Sequence, residues 1–505
     1  MIRKLAVLAL GCVALVAAPR PAMSADEAAG LFFYEKAAKD VLRAAAEKVW
    51  GTADDARKQG FHALCEEQAE RALEFDPDHK DARDHLKYER KEGKWVRNEE
   101  DWKRAPHQNV KSENEAQENF DKRVKKWQDE SLAKTDKYVA AKYAELGDMC
   151  ASKGYPEQAT KGYEAAMRLD KENEKARRGL GYTKFGKVWL TKKQDEARKA
   201  ASKPVEIKDP EKTQWEELFN VKLNKMESAH VRIESPFPIE EISEHIKAAE
   251  TAYAYYLADF ARDPGEDVFS GGKSTFIIMS TDDQWNLFID KFGGNDKEFT
   301  RKLMGCGIGE LSRGIRGGVA TKDVKKKDGG TETQIGSTPE SRRDMLVHGI
   351  VHQLNRRVWR LEERAWLDEG LTYYYTLKTL ETCLTHCVAR KVTDYADGRG
   401  EEGGYKKWDN PDGWKPLLKA LVAKKNDTPL RSVTMLPITK LDFIDTVKSW
   451  SVASWLMDLD RAKFMSVLDQ MLDRAVKQEN VIQGTYGKGL EEIDEDWKKY
   501  VKKCY

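Results

Sequence analysis

His348-Gly349-Ile350-Val351-His352, followed by Trp366-Leu367-Asp368-Glu369-Gly370, is the stretch on which the reading of this chain turns. Placed on a helix, His348 and His352 are i and i+4 neighbours, so both imidazoles face one side and can approach a single ion. Glu369, seventeen residues after His352, adds an oxygen ligand where a second helix packs against the first. Two imidazoles and a carboxylate, with a fourth position left open, make the donor set of a catalytic zinc. In the H-E-x-x-H pattern the residue after the first histidine is the glutamate that serves as general base. Here that place is Gly349.

The flanking residues predict the two helices this geometry needs. Ser337 with Glu340 three residues later reads as a capping box, with Pro339 in the first turn. Met345, Leu346, Ile350, Val351 and Leu354 then form an apolar stripe to be buried. A second helix is expected from near Glu363, through Glu369 and Tyr373-Tyr374-Tyr375, towards Val388. The tyrosines read as core packing with one exposed hydroxyl. On that continuing helix Cys383 and Cys387 would share a face from which His386 is offset, so Cys383-Leu384-Thr385-His386-Cys387 is not read as a second metal site.

A zinc held here would still acidify a bound water and polarise a carbonyl. What is missing is the carboxylate that takes the water's proton, a contribution typically worth about 10²–10⁴ in rate. Met345 and Gln353 share the helical face of Gly349, and neither is a base. Asp344, one turn before His348, suits an outer contact to a ligand, and Asp368 or Glu363 could reach the site only through the tertiary fold.

The string Val347 to Gln353, with Trp366 to Leu371, resembles the gluzincin metallopeptidases. More narrowly it is similar to the bacterial peptidase-MA-like family, which carries H-E-x-x-H and then W-L-x-E-G. The likeness runs over roughly residues 215–505. It includes strand–helix–strand units, a glycine-rich strand before the histidine helix, and a helical tail with Leu490-Glu491-Glu492-Ile493 and Trp497. The resemblance implies a thermolysin-like domain in which His348, His352 and Glu369 bind zinc. The chain departs from the pattern at Gly349 and in a slightly short His352–Glu369 interval, so no catalytic residue is assigned.

Upstream, residues 25–200 read as helical and carry an internal repeat. Ala72-Leu73-Glu74-Phe75-Asp76 and Ala82-Arg83 recur ninety-four residues later as Ala166-Met167-Arg168-Leu169-Asp170 and Ala176-Arg177. Each copy runs through a tyrosine (Tyr88, Tyr182) into a glycine-lysine-tryptophan patch at Gly93-Lys94-Trp95 and Gly186-Lys187-Val188-Trp189. The second copy resembles a tetratricopeptide helix pair: Tyr143, Leu146, Gly147, Gly154, Ala159, Tyr163 and Ala166 fall at that repeat's positions, with Lys171 where proline is usual. Two units are fewer than an independent solenoid needs, so a helical module packed on itself or on the next domain is expected. Residues 98–140 read as an amphipathic connector through Trp102, Phe120, Val124 and Trp127. The lysine-rich run Lys192 to Lys212 contains the linker, residues 201–212. From 213 to 505 the pattern is mixed. Strands are expected at Ala229–Glu234 and Ser274–Met279, and near Val319, with helices at Pro238–Ala258 and from Asp282. The glycines of Gly305-Cys306-Gly307-Ile308-Gly309 lack the Lys-Ser/Thr ending of a phosphate loop. The fold class is α+β, an all-α tetratricopeptide-like module preceding the gluzincin domain.

Length and composition agree with this. A chain of 505 residues suits two or three domains, and 34% charged residues suit a long solvated helical surface. Residues 1–24 read as a signal peptide: Arg3 and Lys4, an apolar run from Leu5 to Ala18, then Ala22-Met23-Ser24. The expected location is secreted or periplasmic, with no transmembrane segment in the mature chain. Gly11-Cys12 is not read as a lipoprotein site because the apolar run continues past it. Cleavage removes three cations and no acids and moves the formal charge from +1 to −2, which argues against a nucleic-acid partner. Lys325-Lys326-Lys327 reads as a solvated loop. Six cysteines remain after residue 24, too few for a disulfide scaffold, and the sequence does not pair them. Three functional readings follow. The first is a pseudopeptidase that keeps zinc and binds a peptide or protein ligand in its cleft while the helical module docks a protein partner. The others are an active zinc peptidase with a base from elsewhere in the cleft, and a metal-free structural envelope protein.

Overall fold

The computed structural model describes residues 25–208, 211–292, 305–307, 311–317, 324–325, 331–332, 338–385 and 410–505. The signal-peptide reading, the strand near Val319 and the end of the Cys383–Cys387 run fall outside them. Helices predominate, with small sheets, and the fold class is α+β. The chain forms two compact units, 1–183 and 184–505.

In the first unit the sequence repeat is also a structural one. Helices His62–Phe75 and Lys80–His85 lead into a hairpin of β1 (Tyr88–Lys91) and β2 (Lys94–Arg97). Helices Pro156–Leu169 and Glu174–Gly179 recur at the same ninety-four-residue offset, and the hairpin that follows, β3 (Thr183–Phe185) and β4 (Val188–Leu190), belongs to the second unit from Lys184 onward. Small residues allow the close crossing of Ala133–Ser152 with Pro156–Leu169. A Cβ on Gly162 would sit 2.8 Å from the Gly147 nitrogen, so nothing larger than glycine fits between these backbones. The expected connector over 98–140 is broken instead. Its pieces, Glu99–Arg104 and Gln117–Trp127, are separate helices, and Phe120 and Trp127 turn inward onto Phe61, Leu64 and Cys65. Burying two large rings stabilises more than one continuous exposed helix would.

The second unit begins earlier than the composition implied. Lys192–Ala201 is a helix with a Thr191–Gln194 capping box, and Val205–Glu206 forms β5 of a six-stranded sheet. The stretch read as a linker, 201–212, is therefore partly built into that sheet. Beyond it lie β6 (Asn224–Glu227), β7 (Val231–Ser235), β8 (Ser274–Met279), β9 (Gly305–Gly307) and β10 (Ser312–Arg316). Their spatial order is β5-β6-β7-β8-β10-β9, with β8 parallel to both β7 and β10 and the outer pairings antiparallel. Helices Ile239–Asp259 and Asp282–Phe292 make the two crossovers between parallel strands.

Alternation along β8 sorts the sheet's two faces. Phe276 and Ile278 join the main core with Ile242, Ile246, Ile350 and Val351, whereas Ile277 and Met279 join Trp285, Phe288 and Trp215 on the other face. The main core continues into the C-terminal helices Pro411–Lys424, Leu430–Met435, Phe443–Gln470, Gln478–Tyr486 and Leu490–Cys504. Among the described residues no helix is long and apolar enough to cross a membrane. Cys65, Cys150, Cys383 and Cys504 carry free thiols.

Candidate metal centre

Two helices of the second unit carry the site. The histidine helix spans Pro339–Trp359, and all five residues of its expected stripe are buried. Its cap is Thr338 with Ser341, one residue after the expected Ser337–Glu340 box. The Thr338 hydroxyl accepts from the Ser341 N–H at 3.2 Å, and Pro339 occupies the first helical position, where no N–H is needed. Arg360 ends the helix in the left-handed conformation (φ 54°), and a 3-10 turn, Leu361–Glu363, reverses the chain. The acid helix then runs Ala365–Leu380 and stops at Glu381 (φ 64°), well short of Val388. Cys383 thus lies beyond the helix, so the shared-face argument for Cys383 and Cys387 no longer holds; His386 and Cys387 lie outside the described residues.

Gly370 explains how Glu369 is brought in. A Cβ on Gly370 would lie 2.7 Å from the Ser449 carbonyl oxygen, so the acid helix and Phe443–Gln470 cross almost backbone to backbone. Trp366 anchors the start of the helix by donating from Nε1 to Gln478 Oε1 at 2.9 Å. With Leu367 and Leu371 fully buried, Glu369 is held on the face toward the histidines.

The expected residues do converge. One ligand atom each from His348, His352 and Glu369 lies within 4.8 Å of the others, and all three residues are buried. The two Nε2 atoms are 3.2 Å apart, and His352 Nε2 is 3.4 Å from Glu369 Oε1. Bonds of about 2.0–2.1 Å to a tetrahedral ion would set neighbouring ligand atoms about 3.3 Å apart. Two of the spacings match that value, and the group could hold a metal ion.

A second layer orients His352. Its Nδ1 lies 2.9 Å from Asp368 Oδ1, so Nδ1 donates the proton and the lone pair is left on Nε2, towards the cluster. Burial pushes the Asp368 carboxyl up, but His352, Arg356 and the Asn355 amide outweigh it and hold the group below the usual carboxylate value. Asn355 Nδ2 donates to Asp368 Oδ1 and to the Asp368 carbonyl, both at 2.9 Å, and Tyr256 donates to Asn355 Oδ1 at 2.8 Å. Burial, with the Asp368 charge, raises the Tyr256 hydroxyl well above its ordinary range and keeps it a donor. Thr372 Oγ1 also lies 3.3 Å from His352 Nδ1. Sequence reasoning weighed Asp368 only as a base and overlooked Asn355, Thr372 and Tyr256. The one available signal was Asn355 at i+3 from His352, on the same helical side.

The surroundings of Gly349 were not legible. A Cβ there would meet Phe276 Cε1 at 2.9 Å and Arg313 Cδ at 3.3 Å. Phe276 on β8 and Arg313 on β10 are register partners, so the two side chains stand together under the helix. The other residues weighed as substitutes for a base are engaged elsewhere. Gln353 accepts from the Ser274 hydroxyl, Asp344 accepts the Leu384 and Thr385 N–H groups at 3.0 and 2.9 Å, and Glu363 is exposed beside Arg474. Of the three tyrosines, Tyr373 and Tyr375 are fully buried and Tyr374 is half-buried; the Tyr373 ring lies 5.7 Å from the ring of His348.

Comparison with known proteins returns no match: no family model fits the sequence, and no curated protein or solved structure is significantly similar.

Proposed function

We propose that this chain is an exported, zinc-binding relative of the gluzincin peptidases that holds a peptide or protein ligand rather than cutting it. The second unit is read as the thermolysin-like domain, and the helical unit as a tetratricopeptide-like module that docks a protein partner. The observation that carries the reading is the pair of facts at one position: ligand atoms converge from His348, His352 and Glu369, while the adjacent Gly349 has no side chain and its space is taken by Phe276 and Arg313.

The donor set, two imidazoles and one carboxylate, favours zinc over the hard cations, which prefer all-oxygen shells. Zinc would supply Lewis acidity and an acidified water. His352 is held in the right tautomer by Asp368, and Asp368 in turn by Asn355. Asp368 is committed to that task, so it is a poor proton acceptor for a water at the metal.

Metal analysis of purified residues 25–505, beside His348→Ala, tests the proposal. About one zinc per chain is expected in the first and none in the second. Two empty preparations would refute the metal claim, and robust metal-dependent peptide turnover by the native chain would refute the binding-only role.

A further inference from the structure

We propose that Arg313 and the metal together form a carboxylate-binding site that reads the free C-terminus of a peptide. This rests on the metal reading above and names what the site binds.

Arg313 lies on β10, between Phe276 of β8 and Gly307 of β9 in the sheet register. It is half-buried, and its Cδ stands 3.3 Å from where a Cβ on Gly349 would be. From Cδ to its terminal nitrogens a guanidinium reaches about as far as a glutamate reaches from Cβ to its oxygens. The charged end of Arg313 can thus enter the region that a general base at position 349 would serve. The sign of the charge is reversed. A guanidinium stays protonated at every physiological pH, so it cannot accept a proton from water; it holds an anion instead.

Its neighbours are already committed. Arg316, on the same strand, donates to Asp282 at 2.9 Å, and Arg342, on the histidine helix, is paired with Glu241 at 2.7 Å. Among the described residues the Arg313 side chain has neither a hydrogen bond nor an ion pair. A half-buried guanidinium with no anion among the described residues, on a side chain that passes Gly349 next to the ligand His348, leaves a local excess of positive charge. A planar carboxylate satisfies both partners, because a guanidinium offers a two-nitrogen fork to its oxygens. For the peptide ligand proposed above, the carboxylate available on every chain is the terminal one.

The test uses the full mature chain loaded with cobalt(II), whose visible spectrum reports its ligands. N-acetyl-glycyl-leucine and the same peptide as its C-terminal amide are the probes, titrated by calorimetry and by absorption. The acid is expected to bind and to shift the cobalt spectrum, with the amide at least about tenfold weaker, the scale of a lost charge-assisted pair. Arg313→Gln should lose about tenfold or more in affinity for the acid, and Arg313→Lys should recover part of it; cobalt content and melting temperature should stay at the parent values in both. Equal binding of acid and amide, silence of both probes with cobalt bound, or an unchanged affinity in Arg313→Gln overturns the inference alone. A chain that takes up no cobalt overturns the metal reading and this inference with it.

Discussion

Gly349 lies in the middle of the histidine helix, where replacing glycine by alanine ordinarily stabilises by about 1 kcal/mol. Here the opposite sign is expected. The new Cβ would lie 2.9 Å from Phe276 Cε1, a separation too short for two carbons, and 3.3 Å from Arg313 Cδ. The arginine methylene can move. Phe276 is fully buried in the main core and fixed to β8, so its ring has little room. Overpacking of this kind costs about 1–3 kcal/mol, which outweighs the propensity gain and leaves Gly349→Ala destabilised by roughly 1 kcal/mol. Phe276→Leu removes the ring edge, and in that background Gly349→Ala should stabilise by about 0.5–1 kcal/mol, a coupling near 2 kcal/mol between the two positions. Urea unfolding of the full chain, followed by tryptophan fluorescence in all four proteins, reads this cycle, and the cost of Phe276→Leu itself cancels. A higher urea midpoint for Gly349→Ala alone, with unchanged slope, would refute the packing argument. The same geometry bears on restoring a base: Gly349→Glu alone should yield no turnover, whereas any gain should require Phe276→Leu beside it.

Three further outcomes are expected. Asp368→Asn removes the carboxylate that sets the tautomer of His352, and should weaken zinc binding about 10–100-fold in a competition titration with a chelator, with little change in far-UV circular dichroism. Gly370→Ala forces a Cβ against the Ser449 carbonyl oxygen; it should lower the urea midpoint by the equivalent of about 2 kcal/mol or more and reduce zinc content, because the crossing that presents Glu369 is disturbed. His245 is buried, and burial, with Arg342 and Arg343, pushes its imidazole down to about 4 although Glu241 pulls the other way. The unfolded chain therefore takes up this proton first. The stability contribution is complete above the ordinary value of 6.5 and is lost as pH falls towards about 4. A loss of roughly 3 kcal/mol across that window is expected from His245, and His245→Gln should flatten this part of the profile in urea titrations at stepped pH.

Where sequence spacing and local chemistry decide an outcome, they were informative. The i, i+4 histidines, the apolar stripe around them, the β-branched run Ser274–Met279 and the helix from Asp282 all depend on neighbours close in the chain, and each is present. The ninety-four-residue repeat likewise recurs as helix–helix–hairpin, because each copy carries its own turn and packing residues. Boundaries fared less well. The cap moved by one residue, from Ser337 to Thr338, within the usual play of helix ends, whereas the acid helix stopped at Leu380 because Glu381 takes the left-handed conformation, which the residues around it did not signal. The lysine-rich segment looked like a linker because its side chains are charged, yet its backbone is used by a sheet edge at Val205–Glu206, a contact that composition does not record.

By itself, the sequence determined that two histidines share a helical face, that Glu369 belongs to the next helix, and that position 349 has no side chain. Only the tertiary structure decided what stands in that space. Phe276 and Arg313 come from strands some seventy and thirty-five residues upstream, and they meet Gly349 because β8 and β10 pair in register beneath the histidine helix. Pairing between distant strands depends on the packing of the whole sheet, so no local pattern around His348 could reveal that the place of a base is filled by the Phe276 ring and the Arg313 side chain.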